Sequence, residues 1–372
     1  MALGQGPGGT TTPSQTTEYY DALLSTSLPN FAPTFADNVF KDSAFLAKLR
    51  ETDGVKFQNG GERIRVPLMY GKNETIAAMD GYDVIDTTPS DGMTTAFYEW
   101  KQIAGSISIS LKEKRQNAGE GQMINLLESK LKQAQMTMTE ELNSQLLQGA
   151  LDGTTFVPAS STKGLNPLGY FCPKLNGTDP TSGGDIGNIS SNTYDWWRCK
   201  TSAANGDNDT GNSFSNNVTT YAALKANVRR MHNFTGRGGG GKANLLVGDQ
   251  ISFETYENAL DVNVRFTDTS MADLGFSSVK VQGATFIYDE IVPDIDGGNL
   301  LADGNTGTIF FIHTGFYKFY IDTESDIVIT PFQKPAGTQL VDIANIYFMG
   351  NATVSSLRKH GVLYAISQSI TS

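Results

Sequence analysis

The segment closest to a known chemical motif is a glycine-rich run at residues 236–242, Gly-Arg-Gly-Gly-Gly-Gly-Lys. It fits the first seven positions of a phosphate-binding loop, in which backbone amides cradle phosphate and a lysine reaches its outer oxygens. The eighth position should carry a Ser or Thr hydroxyl for Mg²⁺, and here it is Ala243. A helical pattern precedes the run and a short apolar strand follows it, which reverses the order that aims a helix N-terminus at phosphate. We therefore interpret the run as a connecting loop and expect no nucleotide cofactor.

Two acidic segments offer the hard oxygen ligands that Ca²⁺ and Mg²⁺ prefer. One is Asp-Asn-Asp-Thr-Gly at residues 207–211, and the other contains Asp289, Glu290, Asp294 and Asp296. Neither segment has the spacing of a calcium loop with its distal glutamate. We interpret both as solvated acidic loops and expect no metal site.

Histidines and cysteines show no catalytic or metal-binding spacing. His232, His313 and His360 are far apart in the sequence, and Cys172 and Cys199 form no Cys-x-x-Cys pair. The two cysteines flank one polar segment, so a bridge is geometrically possible, but we expect two free thiols because a chain that is not secreted folds in a reducing compartment. No nucleophile elbow, zinc-protease motif or dinucleotide fingerprint is present. The sequence predicts a protein that is not an enzyme.

Composition argues against nucleic acid and membrane as partners. The 372 residues carry 28 Lys and Arg against 39 Asp and Glu, a formal net charge of −11. Sequence-specific nucleic-acid binding is not expected, because phosphate backbones favour clustered cations. No window approaches 18 apolar residues, and the N-terminal residues lack the basic and apolar regions of a signal peptide. The low charged fraction of 18% and the 39 glycines suit a turn-rich β protein or a chain that covers its surface with neighbours.

A change of period marks a strand that leads into a long helix. Residues 106–111 alternate polar and apolar, which indicates a half-buried strand. From Glu120 the apolar residues follow steps of three and four, which predicts one helix with a single apolar stripe over residues 120–148. The stripe consists of Met123, Ile124, Leu127, Leu131, Ala134, Met138, Leu142 and Leu146. Gly149 is the predicted stop.

Residues 55–105 form a predicted β-hairpin with a wide tip. Residues 63–66 and 95–100 read as its two strands, and the turn signals of residues 70–92 lie between them. Because an isolated two-stranded hairpin is marginal in water, we expect it to pack on a partner.

The other segments complete an α+β chain. Residues 1–18 resemble a polar arm, and helices are expected near residues 19–28 and 44–50. Residues 157–218 are polar but hold five aromatic side chains, so we expect an ordered, exposed insertion. Helices and strands alternate over residues 219–330, which predicts a compact α/β unit. The tail contains further strands near residues 343–348 and 361–366.

This order of segments resembles the major capsid proteins of tailed double-stranded-DNA bacteriophages, with the Hong Kong 97-type fold. The hairpin begins at residues 60–67, the strand at 106–110 runs into the helix at 120–147, and tail segments 346–351 and 358–363 complete the sheet. The resemblance covers most of the chain apart from residues 157–218. The order and lengths of the elements support it, since no single motif is diagnostic.

The resemblance implies a name for each part. The parts are an N-terminal arm at 1–35, a short helical segment at 36–54, an extended loop at 55–105, a peripheral domain with its spine helix at 106–156 and 331–372, a polar surface insertion at 157–218, and an axial domain at 219–330. The apolar stripe of the spine helix is then expected to face the sheet that the tail completes.

The resemblance also implies the function: self-assembly into hexamers and pentamers of an icosahedral head that encloses DNA. The expected partners are other copies of the chain, with portal, separate scaffolding and decoration proteins, and the expected location is the virion, assembled in the host cytoplasm. A basic hairpin meeting an acidic neighbour would place inter-subunit contacts at Arg63, Arg65, Lys72, Glu99 and Lys101. Some relatives cross-link subunits through a lysine of this loop. Lys72 lies in this segment, but the sequence identifies neither the asparagine nor the catalytic carboxylate of such a cross-link, so none is predicted.

Two alternatives stay open at this point. One is a cellular protein-shell compartment of the encapsulin type. The other is a phage tail or adhesin binding module, which would explain the β content and the aromatic residues of the insertion.

Overall fold

The computed structural model of the chain describes residues 43–84, 86–89, 91–116, 120–152, 155–157, 163–173, 185–191, 193–204, 218–260, 278–294, 306–335 and 340–370. The predicted arm at residues 1–35 lies outside them. The helices are α1 Ala44–Glu51, α2 Leu111–Gln116, α3 Glu120–Leu147, α4 Leu168–Phe171, α5 Tyr221–Thr235 and α6 Gln250–Ala259. None of the described helices is long and apolar enough to cross a membrane.

Seventeen strands are described. Those in the first half of the chain are β1 Val55–Gln58, β2 Ile64–Met69, β3 Met93–Tyr98, β4 Lys101–Ser110, β5 Ala150–Asp152, β6 Thr155–Val157, β7 Asp185–Ile186 and β8 Ile189–Ser190. Those in the second half are β9 Lys200–Ala203, β10 Leu245–Gly248, β11 Ser278–Val281, β12 Ala284–Tyr288, β13 Thr306–Ile312, β14 Tyr317–Asp322, β15 Val328–Ile329, β16 Val341–Val354 and β17 Gly361–Ser367.

The first sheet is built on the long tail strand β16. Strand β4 pairs antiparallel with it over ten residues, from Val341 opposite Ser110 to Gly350 opposite Lys101. Strands β14 and β15 pair with the other edge of β16, and β1 runs parallel to β14. The predicted union of the tail with the strand that leads into the long helix is therefore confirmed.

Helix α3 packs the described part of its predicted stripe, from Leu131 onward, into the core of this sheet. Leu142 and Leu146 are buried and share one hydrophobic cluster with Ile346 and Phe348 of β16. Gly149 adopts a left-handed φ of 64°, and its amide donates to the Ser144 carbonyl at 3.1 Å, which ends the helix as expected. The helix bounds, Glu120–Leu147, agree with the period of the sequence.

The second sheet has six strands in the order β11-β12-β10-β13-β17-β9, with α5 and α6 packed on it. Strands β10 and β13 are antiparallel, whereas β10 and β12 are parallel. The predicted α/β unit is present, but its strands come from more of the chain than residues 219–330.

Two strands belong to a different sheet from the one that the sequence indicates. The tail strand β17 pairs with β13 and β9, so it does not join β16 in the first sheet. Its first six residues are all buried, since it lies between two neighbours in a sheet that α5 and α6 cover. Conversely, β14 follows β13 after one turn, yet it pairs with β16. The predicted boundaries at 330 and 331 therefore cut through both sheets.

Candidate assembly surfaces

The hairpin stem has one buried and one exposed face. Strands β2 and β3 pair antiparallel, from Ile64 opposite Tyr98 to Met69 opposite Met93. Strict alternation in β2 buries Ile64 and its alternate neighbours on the inner face. The outer face presents Arg65, Pro67 and Met69, and it is the side from which another molecule could approach.

Residues 185–191 and 193–197 cover the inner face of the stem. The Phe97 amide donates to the Gly187 carbonyl at 3.1 Å, and a Cβ on Gly187 would lie only 2.9 Å from the Ala96 Cβ. The Tyr70 ring stacks on Trp196 at 4.9 Å between centroids. The Tyr98 hydroxyl donates to the Val354 carbonyl at 2.8 Å, which ties the stem to β16.

The described part of residues 157–218 is therefore not the exposed insertion that the sequence predicts. Trp197 and Phe171 are fully buried, and the Trp197 indole donates to the Ile186 carbonyl at 2.9 Å. Strand β9, from the same segment, completes the six-stranded sheet. The aromatic side chains are the reason, because large apolar rings gain most from burial when they fill a core.

The five charged residues predicted at subunit contacts are spread along the hairpin. The Arg65 guanidinium lies 6.0 Å from the centroid of the Phe97 ring on the outer face. At the foot of the stem, Lys101 Nζ lies 3.5 Å from Glu99 Oε2. Arg63 and Lys72 are exposed, Arg63 at the start of the stem and Lys72 in the tip. The structure does not bring these five residues together in one site.

The hairpin is acidic, which corrects the prediction of a basic one. Residues 55–105 contain five cations and seven carboxylates. The cations are Lys56, Arg63, Arg65, Lys72 and Lys101, and the carboxylates are Glu62, Glu74, Asp80, Asp83, Asp86, Asp91 and Glu99. We define residues 70–92 as the hairpin tip; it carries one of these cations and five of these carboxylates.

The hairpin tip exposes large apolar side chains. Ile76, Tyr82 and Val84 are 82%, 103% and 93% exposed. The neck of the tip is narrow, because Gly71 and Gly92 approach so closely that a Cβ on Gly71 would meet the Gly92 Cα at 3.0 Å. Several large apolar side chains exposed within one short segment are typical of interaction surfaces, so the tip is a candidate contact.

The glycine-rich loop does not have the polarity of a phosphate site. It connects α5 to β10, in the helix-then-strand order expected from the sequence. Lys359 Nζ donates to the carbonyls of Arg237, Gly238 and Gly241 at 3.3, 2.7 and 3.0 Å. The loop thus turns carbonyl oxygens toward an ammonium, whereas a phosphate loop turns amides toward an anion.

Two of the three histidines lie close together, which the sequence spacing did not reveal. The His313 amide donates to His360 Nδ1 at 3.3 Å, and His313 Nε2 lies 2.9 Å from the Gly240 carbonyl. Burial lowers the pKa of His360 to about 3 and also lowers the pKa of His313. Among the described residues, no group of His, Cys, Asp or Glu could hold a metal ion.

Asp289 and Asp294 of the second acidic segment are buried, contrary to its interpretation as a solvated loop, whereas Glu290 is exposed as expected. The Asp289 carboxylate accepts from Asn143 Nδ2 at 3.3 Å and from the Ile291 amide at 3.2 Å, and burial raises its pKa. Asp294 accepts from the Thr306 hydroxyl at 2.8 Å. Asp289 therefore links the sheet carrying β12 to helix α3, a structural role. Asp296 and residues 207–211 lie outside the described residues.

The two cysteines are free thiols, as expected, and both are buried. Burial and the neighbouring Cys172 raise the pKa of the Cys199 thiol, which suppresses the reactive thiolate.

Comparisons with known proteins find capsids among solved structures. No family model and no curated protein sequence matches the chain. The capsid asymmetric unit of cyanophage A-1(L) matches at 14% identity and a TM-score of 0.53, covering 84% of this chain and 90% of that one. The capsid of Myoviridae phage XM1 matches at 11% identity and a TM-score of 0.50, covering 85% and 91%. The SrpI encapsulin of Synechococcus elongatus matches at 10% identity and a TM-score of 0.47, covering 86% of each chain.

Proposed function

We propose that this chain, which has the Hong Kong 97-type fold of tailed-phage major capsid proteins, is the structural subunit of a self-assembling shell. In this proposal, copies form the hexamers and pentamers of an icosahedral phage head that encloses double-stranded DNA. The hairpin is the observation that supports it most directly. Its inner face is covered by its own chain, whereas its tip exposes large apolar side chains that gain free energy only when another molecule covers them.

The outer face of the hairpin is the proposed contact with neighbouring copies. Such contacts are heterologous, since the hairpin of one copy meets a different surface of the next, and they close by rotation into rings. Arg65 lies on this face, Arg63 and Lys72 are exposed at the start of the stem and in the tip, and Glu99 and Lys101 lie at the foot of the stem. Charged groups at this rim would set register and suppress wrong pairings more than they add affinity.

The remaining parts of the proposal follow from a shell of this kind. Portal, scaffolding and decoration proteins are its proposed partners, and the virion, assembled in the host cytoplasm, is its proposed location. A net charge of −11 suits a container that must not hold its DNA tightly. The subunit would act by association, without catalysing a reaction.

Electron microscopy of the purified chain tests the proposal. We expect two-dimensional class averages to show closed shells or rings of five and six subunits. The double variant Tyr82→Ser, Val84→Ser should lose assembly while its unassembled form keeps its thermal stability, because both side chains are exposed. Leu340→Ser, which is 73% exposed outside the hairpin, is the matched control. A monodisperse monomer of the original chain across salt and protein concentration would refute the proposal.

The content of the shell distinguishes a phage head from a cellular compartment. Particles from infected cells that hold nuclease-protected double-stranded DNA support the head. Particles that hold a single protein cargo and no DNA support the compartment.

A further inference from the structure

Three cations from distant parts of the sequence meet on one surface. Lys200 begins β9, Arg358 lies in the turn before β17, and Arg237 belongs to the glycine-rich loop. The Lys200 amide donates to the His360 carbonyl at 3.1 Å, which places this lysine beside the turn that carries Arg358. We call Lys200, Arg237 and Arg358 the basic surface.

A fourth cation, Lys359, is buried beneath this surface and is only 3% exposed. Its ammonium donates to three carbonyls of the glycine-rich loop, which carries Arg237. These hydrogen bonds hold that loop against the turn that carries Arg358 and Lys359. Gly238 and Gly241 adopt φ values of 80° and 91°, which allow their carbonyls to turn toward the ammonium. Burial lowers the pKa of Lys359, and the charge of Arg358 lowers it further. Burial likewise lowers the pKa of Lys200, with further contributions from Arg358 and Arg237, so these cations repel one another.

The described chain supplies no carboxylate to the two arginines. Neither Arg237 nor Arg358 forms a salt bridge with a described residue, and Asp195, an acid near Lys200, is paired with Arg198. The Arg237 guanidinium lies 4.1 Å from the centroid of the Phe234 ring, which covers one face of its plane. An anion that also carries apolar groups would complement this surface.

The hairpin tip has this composition. It holds five carboxylates against one lysine, and its apolar side chains are exposed. The exposure of Ile76, Tyr82 and Val84 shows that the tip does not fold back on the basic surface of its own copy. We propose that the hairpin tip of one copy docks on the basic surface of a second copy. This inference rests on the proposed shell function and names the surface that receives the hairpin.

A protein partner fits the basic surface better than nucleic acid. Tight binding to a duplex needs a row of phosphate contacts, whereas this surface offers three cations beside a half-buried phenylalanine. The tip supplies both carboxylates and apolar contacts from one segment, and the match in charge would orient it on arrival.

Exchange of charges between the two surfaces tests the inference. The first variant reverses the basic surface (Arg237→Glu, Arg358→Glu), and the second reverses the tip (Glu74→Lys, Asp91→Lys). Glu74 and Asp91 are exposed, and Asp91 accepts from the Tyr70 hydroxyl through its backbone carbonyl, so replacing the two side chains spares this contact. We expect each double variant to raise the protein concentration needed for assembly about tenfold or more. The four-site variant, which restores opposite charges, should return it to within about threefold of the original.

Controls separate this contact from general effects of charge. The variant Lys163→Glu, Lys334→Glu changes the net charge by the same amount as Arg237→Glu, Arg358→Glu, but at two exposed sites elsewhere, and it should leave assembly unchanged. Thermal unfolding of dilute subunits should show that every variant folds. If the glutamate variant unfolds, the milder pair Arg237→Gln, Arg358→Gln replaces it, with an expected rise of about threefold.

Three results would each overturn the docking of the hairpin tip on the basic surface. If the four-site variant assembles no better than the double variants, docking of the tip on this surface is wrong although the shell function stands. If the variant with Arg237→Glu and Arg358→Glu assembles normally but its particles retain less DNA, the basic surface serves nucleic acid and the inference is overturned. If the original chain forms no shells, the proposed function fails and the inference falls with it.

Discussion

Replacing Lys359 by methionine should destabilise the subunit and loosen the glycine-rich loop. The ammonium donates three hydrogen bonds of 2.7 to 3.3 Å from a buried position. Hydrogen bonds to a charged group contribute about 1.5–3 kcal/mol each, but the cost of desolvating the ammonium offsets much of their sum. Water can reach the exposed loop and rehydrate its carbonyls in the variant. A net loss of about 2–3 kcal/mol in the free energy of unfolding follows.

Urea denaturation of dilute, unassembled subunits measures that loss. Hydrogen exchange supplies a local readout, because the amides of residues 238–242 should exchange faster while those of β10 in the same sheet keep their protection. Methionine preserves the length and apolar stem of the side chain, so the change isolates the ammonium. Lys359→Arg is the control: it keeps the charge, but a planar guanidinium cannot place three donors as the ammonium does, and a loss of about 1 kcal/mol is expected.

A small effect would refute the reasoning. If Lys359→Met changes the free energy of unfolding by less than about 0.5 kcal/mol and leaves exchange in the loop unchanged, the carbonyl contacts do not hold the loop. The loop would then be fixed by other contacts, such as the packing of Phe316 against Gly240.

Three further predictions concern the core, the histidines and the base of the hairpin. Leu142→Ala should lower the free energy of unfolding by about 3 kcal/mol in urea denaturation, since the Leu142 side chain is buried. Met136→Ala, on the exposed side of the same helix, should change the free energy of unfolding by less than about 0.5 kcal/mol. Equal losses in the two variants would contradict the packing of the helix. The pKa of His360 falls from 6.5 to about 3 on folding, so the unfolded chain binds the proton first and stability falls as the pH drops from 6.5 toward 3. By pH 5 this amounts to about 2 kcal/mol, and His360→Gln should remove that share of the difference between denaturation at pH 7 and pH 5; an unchanged difference would be inconsistent with a buried neutral imidazole. Trp196→Ala should speed proteolysis within the hairpin at least about fivefold, measured by mass spectrometry of timed digests. The melting temperature should fall by no more than a few degrees. Unchanged cleavage would show that the stacking of Tyr70 on Trp196 does not stabilise the hairpin.

The regular elements could be predicted from the sequence because their periods are long and uninterrupted. The apolar steps through Leu131, Met138 and Leu146 define one helix face whatever packs on it. The alternation at Ile64 and Val66 likewise defines a hairpin strand with one buried face. In both cases the pattern lies within one short segment, so it can be recognised without knowing which distant segments pack on it.

The assignment of strands to sheets could not be predicted in the same way. The apolar runs of β13 and β17 are compatible with any buried strand, and only their pairing determines the sheet; Phe311 and Gly361, which lie opposite each other, are 50 residues apart in the sequence. The position of Lys359 under the glycine-rich loop depends on that same pairing. Contacts between segments over 100 residues apart have no periodic trace in the sequence, so the basic surface could not be found before the fold.

The covering of the inner face of the hairpin restricts where assembly can take place. Because residues 185–191 and 193–197 occupy that face, a second copy can reach the hairpin only through its outer face and its tip. The outer face holds Arg65 beside Phe97, and the tip holds most of the carboxylates, so the two ends of the hairpin differ in charge. If the hairpin approached its partner in reverse, each end would meet a surface that complements the charge of the opposite end, and the charges would repel. This polarity would give each hairpin a single orientation on its neighbour, which the proposed closed shell requires.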